Sequence, residues 1–411
     1  MNKKEIIVGL DVGTTKVCTI VGQRNLNNEI EIIGVGTNPS DGLKKGSVVN
    51  IDKTIRSIQT SVEEAKLMAG VEIDDASIGI AGSHIYSFDS TGVVAVRGKE
   101  ITEDDIERVI EAAKAVVIPS DREILHVIPQ EYTIDNAKGI KNPVGMCGVR
   151  LEARVHVVTG AVSLIQNLVN CVEKAGVKSN RIILQPLASS EAVISPEEKE
   201  MGVVLVDVGG GTTDIAIWKE NSLVHTQIIP VGGNHFTNDL AIGLKIPHSE
   251  AEKIKTEFGS VLRSQLVDEE LITLDGMSGS SSREISKKVI TDILSARAEE
   301  LFYLVAEIIK EQNIDSEING GFIITGGGSL ISDMTTLGEY ILQSPCRVGY
   351  PIPFGGMTNV MQNPKYSTVL GLLKEAIKDQ DPVEQELFKS TPTDLISRFS
   401  ASIKSVFKEL F

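Results

Sequence analysis

Residues 203–218 read VVLVDVGGGTTDIAIW, an apolar run interrupted by aspartates, three glycines and two threonines. Val203–Val206 has the β-branched, aliphatic character of a strand covered on both faces, and Ile215–Trp218 resumes it after Asp214. Between them Gly209, Gly210 and Gly211 allow a turn with positive φ and let a ligand come close to backbone N–H groups. Thr212 and Thr213 add hydroxyls, and Asp207, at the end of the first strand, is placed to hold a cation directly or through water. A strand, an acid, a hydroxyl-rimmed glycine turn and a returning strand suit a phosphate carrying Mg2+. Taken alone, the same residues also fit an ordinary tight hairpin whose glycines serve geometry only.

The segment has a counterpart. IIVGLDVGTTKVCTIVG, residues 6–22, aligns with it on the acid, Asp11 facing Asp207, with one glycine fewer in a turn of Gly13, Thr14 and Thr15. Two copies this far apart point to a duplicated domain, since solenoid repeats recur every ~20–50 residues. Two such hairpins facing each other would grip one polyphosphate from both sides. Lys16, directly after the turn, would add a positive charge there; the alternative is a solvated surface lysine. A third cluster, NGGFIITGGGSLI at 319–331, reads as a strand, then Gly326, Gly327 and Gly328, then apolar residues entering a helix. Unpaired N–H groups at helix starts collect anions and polar ligand edges. This cluster is therefore expected at the nucleoside end of the same ligand, although such turns are also common in α/β folds for purely structural reasons.

Composition limits the options. A chain of 411 residues leaves room for roughly two to four domains with ample core. A hydrophobic share of 41% and a mean hydropathy near zero describe a soluble globular protein. The net charge of −16 argues against a nucleic-acid surface as the main role. Cys18, Cys147, Cys171 and Cys346 are scattered, without a CxxC pair, as expected of reduced cytosolic thiols. The histidines show no metal-ligand spacing. Ile6–Leu10 is cut off by Asp11, too short for a signal peptide, and no run approaches the roughly 18 apolar residues of a membrane-spanning helix.

The C-terminal end is distinctive. After a core helix at 367–377 comes KDQDPVEQELFKSTPTD, a polar, acidic stretch that reads as a flexible linker. DLISRFSASIKSVFKELF, residues 394–411, follows. Its Phe399, Ile403, Phe407, Leu410 and Phe411 share one helical face with Leu395, Ile396 and Val406, flanked by Arg398, Lys404 and Lys408. The linker, and lysines in an otherwise acidic chain, favour an interfacial membrane helix over a helix packed back on the core. Such a helix binds reversibly, so stable attachment needs several copies side by side.

With these motifs in hand, the chain resembles the actin/Hsp70/sugar-kinase ATPase superfamily. Asp11–Lys16 matches its first phosphate motif, Asp207–Thr213 its second and Ile324–Ser329 its adenosine motif. Val231-Gly232-Gly233-Asn234 matches a Gly-Gly turn, and Ala251–Lys255 a helix whose Glu252 and Lys255 would meet the nucleoside. The resemblance implies an α/β, actin-like ATPase fold: two duplicated RNase H-like domains around a nucleotide cleft, with a small α+β insert in the first half. It implies ATP and Mg2+ as cofactors, the metal held by Asp11 and Asp207 through water. One position departs from the pattern. Where Hsp70-like and MreB-like members carry a glutamate before a proline, this chain has Gln185, which can orient a water molecule but cannot take its proton. At most slow ATPase activity is expected.

Residues 83–160 hold the insert: a strand at 90–98, a helix from Thr102 with Asp105 closing a shortened capping box, then EILHVIPQEYTI and LEARVHVVTG as strands. HVIPQEYTID and KNPVGMCGVRLEARVH resemble the FtsA family of bacterial cell-division proteins. The expected domains are a first core (1–82 and 161–195), the insert, a second core (196–226 and 311–378), a subdomain at 227–310, the linker at 379–393 and the tail helix. The resemblance implies that the subdomain at 227–310 receives the C-terminal peptide of FtsZ. Arg283, Lys287 and Lys288 are candidate contacts for that acidic peptide, or simply a solvated charged face. The resemblance also implies actin-like self-association and a place at the cytoplasmic face of the membrane at the division site. Two alternatives stand beside it: a pilus-assembly-type peptide binder of the same fold, and a small-molecule kinase, for which no aspartate base is evident.

Overall fold

The computed structural model describes residues 5–25, 30–263, 270–274, 283–352, 354–356 and 362–378. The expected linker at 379–393 and tail helix at 394–411 lie outside the described residues. The chain begins with β1 (Ile6–Val12), β2 (Lys16–Arg24), β3 (Ile30–Pro39), the short hairpin β4 (Leu43–Lys44) and β5 (Ser47–Val48), α1 (Ile51–Ala69) and β6 (Asp75–Ile80). Next come β7 (Tyr86–Ala95), α2 (Glu103–Lys114), β8 (Arg122–Ile134), β9 (Ala137–Ile140), β10 (Arg150–Ala161), α3 (Val162–Lys174), β11 (Lys178–Leu184), α4 (Gln185–Val193) and α5 (Pro196–Met201). The second half has β12 (Val203–Val208), β13 (Thr213–Lys219), β14 (Ser222–Ile229), α6 (Gly233–Leu244), α7 (His248–Phe258), β15 (Leu271–Leu274) and β16 (Arg283–Ser286). It closes with α8 (Lys287–Gln312), β17 (Phe322–Thr325), α9 (Met334–Leu342), β18 (Cys346–Val348), β19 (Gly355–Gly356) and α10 (Ser367–Lys378).

Two sheets share one plan. The first runs β11–β6–β1–β2–β3–β19 and the second β18–β17–β12–β13–β14. In each, a central strand pairs in parallel on one side and forms an antiparallel hairpin on the other. The duplication read from the two hairpins is thus a duplication of whole sheets. β12 is buried along its length because both its faces are covered. Val204, Val206 and Val208 face the core built with α6 and α8, while Val203 and Leu205 face the layer shared with α4 and α10. Each such side chain, fully buried, contributes about 1.5–3 kcal/mol.

The insert forms its own sheet, β7–β10–β8–β9, with α2 packed on it around Val109, Leu151 and Val155. The Thr102 side chain accepts the Asp105 N–H, and the Asp105 carboxylate accepts the Thr102 N–H at 3.1 Å, the capping box expected from the sequence. The first strand of the insert starts earlier than expected, at Tyr86, because it pairs with β10 from Tyr86↔Thr159 onward.

Two further expectations change. The sequence places the helix at 367–378 with the second core, but α10 packs on α4 and on β1, β2 and β6 of the first sheet. Its Gly371 admits the Ala188 carbonyl so closely that a β-carbon there would lie 1.7 Å from it. The chain therefore returns to the first core before its end. The glycine cluster at 326–328 does not lead straight into an α-helix: Gly327–Leu330 forms one 3-10 turn, and α9 begins at Met334.

Candidate functional site

The β1–β2 and β12–β13 hairpins meet tip to tip at a cavity of about 430 Å³, within the usual range for ligand pockets. Asp11, Gly13, Thr14, Thr15 and Lys16 line it from the first hairpin, and Asp207, Gly209, Gly210, Gly211 and Thr212 from the second. Gly326, Gly327 and Gly328 form another wall, with Gly233, Glu252 and Lys255 beside them and Gln185 at the floor. Residues from three separate sequence motifs thus share one cavity.

Thr213 is the exception. It opens β13, so strand alternation turns it away from the cavity, where its hydroxyl donates to the Val231 carbonyl at 2.8 Å. Asp214, one residue on, turns back and lines the cavity; it pairs across the hairpin with Asp207.

Three carboxyl groups therefore crowd one buried site. Asp11, Asp207 and Asp214 are all buried. Desolvation pushes Asp11 up to about 6, Lys16 opposing this and Asp207 reinforcing it. Asp207 is raised by burial and held back by hydrogen bonds from Ser189 and Thr368 and by the Lys16 charge. Asp214 is pushed well above the ordinary carboxylate value by burial and by Asp207 and Asp11 together. Its Oδ1 has no hydrogen-bond partner among the described residues. A bound cation would relieve all three groups. Among the described residues no group of three His, Cys, Asp or Glu side chains is arranged to hold a metal by itself. A cation here would thus share its ligands with water or a bound phosphate.

α4 supports these acids. Gln185 Nε2 donates to Asp11 Oδ1 at 2.8 Å, and the Ser189 hydroxyl donates to Asp207 Oδ2. Thr368 of α10 donates to the same Asp207 oxygen at 3.3 Å. The Thr14 hydroxyl accepts the Gly46 N–H at 3.1 Å, tying the first turn to the β4–β5 hairpin. Lys16 donates to the Lys365 carbonyl and sits over the Tyr366 ring, 4.6 Å from its centroid. Lys255 is buried and donates to Glu252 at 2.7 Å, Thr237 Oγ1 at 2.9 Å and the Gly233 carbonyl at 3.2 Å, an arrangement that sets the Glu252 carboxylate at the cavity edge.

Asp214, Ser189 and Thr368 join the site beyond the residues the sequence motifs mark. Asp214 had a signal, since it stands two residues after Thr212 and so shares its face. Thr368 had none, being brought in by a helix far along the chain. The three candidate partner-binding residues lie outside the cavity. Lys287 pairs with Glu270 at 2.8 Å, Lys288 is exposed on the first turn of α8, and Arg283 starts β16.

Comparison with known proteins places this geometry. The family model described as "Cell division protein FtsA" matches residues 204–371, and the one described as "SHS2 domain inserted in FTSA" matches residues 82–159. The chain is 45% identical to cell division protein FtsA of Pseudomonas aeruginosa over 376 residues, 92% of this chain and 90% of that protein. It is 35% identical to cell division protein FtsA of Escherichia coli strain K12 over 414 residues, 99% of this chain and 97% of that protein. Among solved structures it resembles the PilM-PilN type IV pilus biogenesis complex, with a TM-score of 0.66 at 15% identity, covering 90% of this chain and 98% of that one. It also resembles MreB5 of Spiroplasma citri bound to ADP, with a TM-score of 0.55 at 17% identity, covering 93% and 98%. The solved structures show the actin-like ATPase fold. The identities to whole relatives show more: the chain belongs to the FtsA family of actin-like cell-division proteins.

Proposed function

We propose that this protein binds ATP with Mg2+ in the cleft, assembles into actin-like filaments on the membrane, and anchors FtsZ filaments to its cytoplasmic face at the division site. The observation that carries the nucleotide part is the meeting of the two glycine hairpins over buried Asp11 and Asp207. Backbone N–H groups of both turns, with Lys16, hold the phosphates. Gly326, Gly327, Gly328, Glu252 and Lys255 surround the nucleoside. Bound Mg2+ would neutralise phosphate charge, and Asp11 and Asp207 would hold it through its waters. Gln185, bonded to Asp11, orients a water without deprotonating it, so nucleotide serves to close the cleft and favour self-association more than to be consumed.

The membrane part rests on the sequence of residues 394–411, whose apolar residues recur at helical spacing, and on the multivalency that a filament provides. The FtsZ part rests on family membership, with Arg283, Lys287 and Lys288 as candidate contacts. Cosedimentation with anionic lipid vesicles and ATP tests both, using the full chain and one truncated after Asp394, each with and without FtsZ. The full chain is expected to pellet and bring FtsZ down, and the truncated chain to stay in solution. Both chains remaining soluble would overturn the tether reading.

A further inference from the structure

A hydrogen bond from the insert reaches the edge of the nucleotide site. His126 lies near the start of β8, and its Nε2 accepts the Leu184 N–H at 3.0 Å. Leu184 immediately precedes Gln185, whose amide donates to Asp11. The bond is specific in its chemistry. Nε2 accepts only from a neutral ring, and desolvation, with Arg181 nearby, pushes the His126 pKa down to about 3, so the ring stays neutral. Leu184 is the N-cap of α4, its side chain makes no cap bond, and its own N–H is held by the His126 ring from the insert. The Gln185 side chain has little room to compensate, because it packs against Gly79 of β6, where a β-carbon would stand 3.1 Å from its Cγ.

The same strand grips the other half of the molecule. Gln130, four residues after His126 on β8, donates to the Leu223 carbonyl of β14 at 3.2 Å. From the neighbouring strands of the insert, Ser87 of β7 donates to the Thr226 carbonyl at 2.8 Å, and His156 Nε2 of β10 lies 3.1 Å from Thr226 Oγ1. β8 therefore spans from the α4 terminus beside Asp11 to the edge of the second sheet.

We propose that His126 is a positioning residue for the nucleotide site, holding Gln185 against Asp11 through the Leu184 amide, and that β8 thereby transmits the state of the site to the insert. The inference rests on the nucleotide reading above. When a ligand draws Asp11 into a cation's water shell, Gln185 and the start of α4 adjust, and His126 carries that adjustment into β8. Such coupling needs a contact that differs between the two states of the site, and the proposal assigns that role to the Gln185–Asp11 bond.

Hydrogen exchange followed by mass spectrometry, with and without Mg-ATP, tests it on the full chain. His126→Gln keeps an acceptor near the Nε2 position, and His126→Leu keeps bulk but removes the acceptor. Mg-ATP is expected to slow exchange at 11–16 and 207–213 in all three proteins. In the wild type and His126→Gln it also changes exchange across 122–134, and in His126→Leu that second response is lost. His126→Leu should also bind Mg-ATP about fivefold more weakly, the effect of one misplaced hydrogen bond, with His126→Gln restoring affinity. Should His126→Leu fail to fold, Gln185→Leu breaks the same chain of bonds at its other end and is expected to lose the insert response. An insert response that survives in His126→Leu, or that is missing from the wild type while both hairpins are protected, overturns the proposal. Absence of protection at the hairpins themselves overturns the nucleotide reading, and this inference with it.

Discussion

Gly210 of one hairpin lies against Thr15 of the other, so closely that a β-carbon on Gly210 would stand 2.3 Å from the Thr15 methyl. Gly211 meets Thr14 in the same way, at 2.7 Å from its hydroxyl oxygen. The two halves of the protein touch where the ligand's phosphates would lie. Gly210→Ala should wedge them apart at a cost of about 1–3 kcal/mol, the usual range for overpacking. Equilibrium titration with Mg-ATP should then show at least roughly tenfold weaker binding. Unchanged affinity would mean that the hairpins do not close on a shared ligand.

The buried acids give a pH signature. Asp11 has its pKa raised from 3.8 to about 6 by burial, so the folded protein binds this proton more tightly than the unfolded chain does. Its favourable contribution is complete below the ordinary value and is lost as pH rises to about 6. Asp11→Asn should therefore become steadily more stable relative to the wild type from pH 4 to pH 6, by on the order of 3 kcal/mol. Denaturant unfolding of the nucleotide-free proteins at several pH values checks this. A constant difference would place Asp11 in a solvated setting.

Asp214 carries the same strain without a hydrogen-bond partner for its Oδ1. Asp214→Asn should raise the thermal midpoint of the nucleotide-free protein at neutral pH, since it removes a buried acid that Asp207 and Asp11 crowd and whose Oδ1 has no partner among the described residues. If Asp214 also helps to hold the cation, the same variant should bind Mg-ATP less tightly than the wild type. A lower midpoint would show that the charged form is paired in solution.

Gln185 sets the expected rate. A carboxylate there could take the proton of an attacking water, a contribution of about 100-fold or more. Gln185→Glu should raise ATP turnover by that order, measured as phosphate release under single-turnover conditions. Turnover equal to the wild type would place the attacking water elsewhere.

Much of the site was legible because its chemistry is local. Asp207 and the glycines that follow it sit in one short stretch, and the same pattern at Asp11 exposed the duplication. Thr213 was misplaced because two adjacent threonines look equivalent in a sequence, whereas a strand sends neighbours to opposite faces. The same alternation would have identified Asp214 through Thr212. The place of α10 was not legible at all. Its apolar face suits either core, and its packing on α4 and on β1, β2 and β6, with Gly371 close against Ala188, shows which one it covers. Ser189 and Thr368 reach Asp207 for the same non-local reason, from helices that sequence order does not bring together.

ATP binding in the presence and absence of Mg2+, measured by calorimetry on the full chain and on Asp207→Ala, bears most directly on the two-hairpin clamp. The clamp predicts that the wild type binds ATP, that chelating Mg2+ weakens binding at least roughly tenfold, and that Asp207→Ala loses the Mg2+ dependence. Binding that ignores Mg2+ and survives in Asp207→Ala would contradict it.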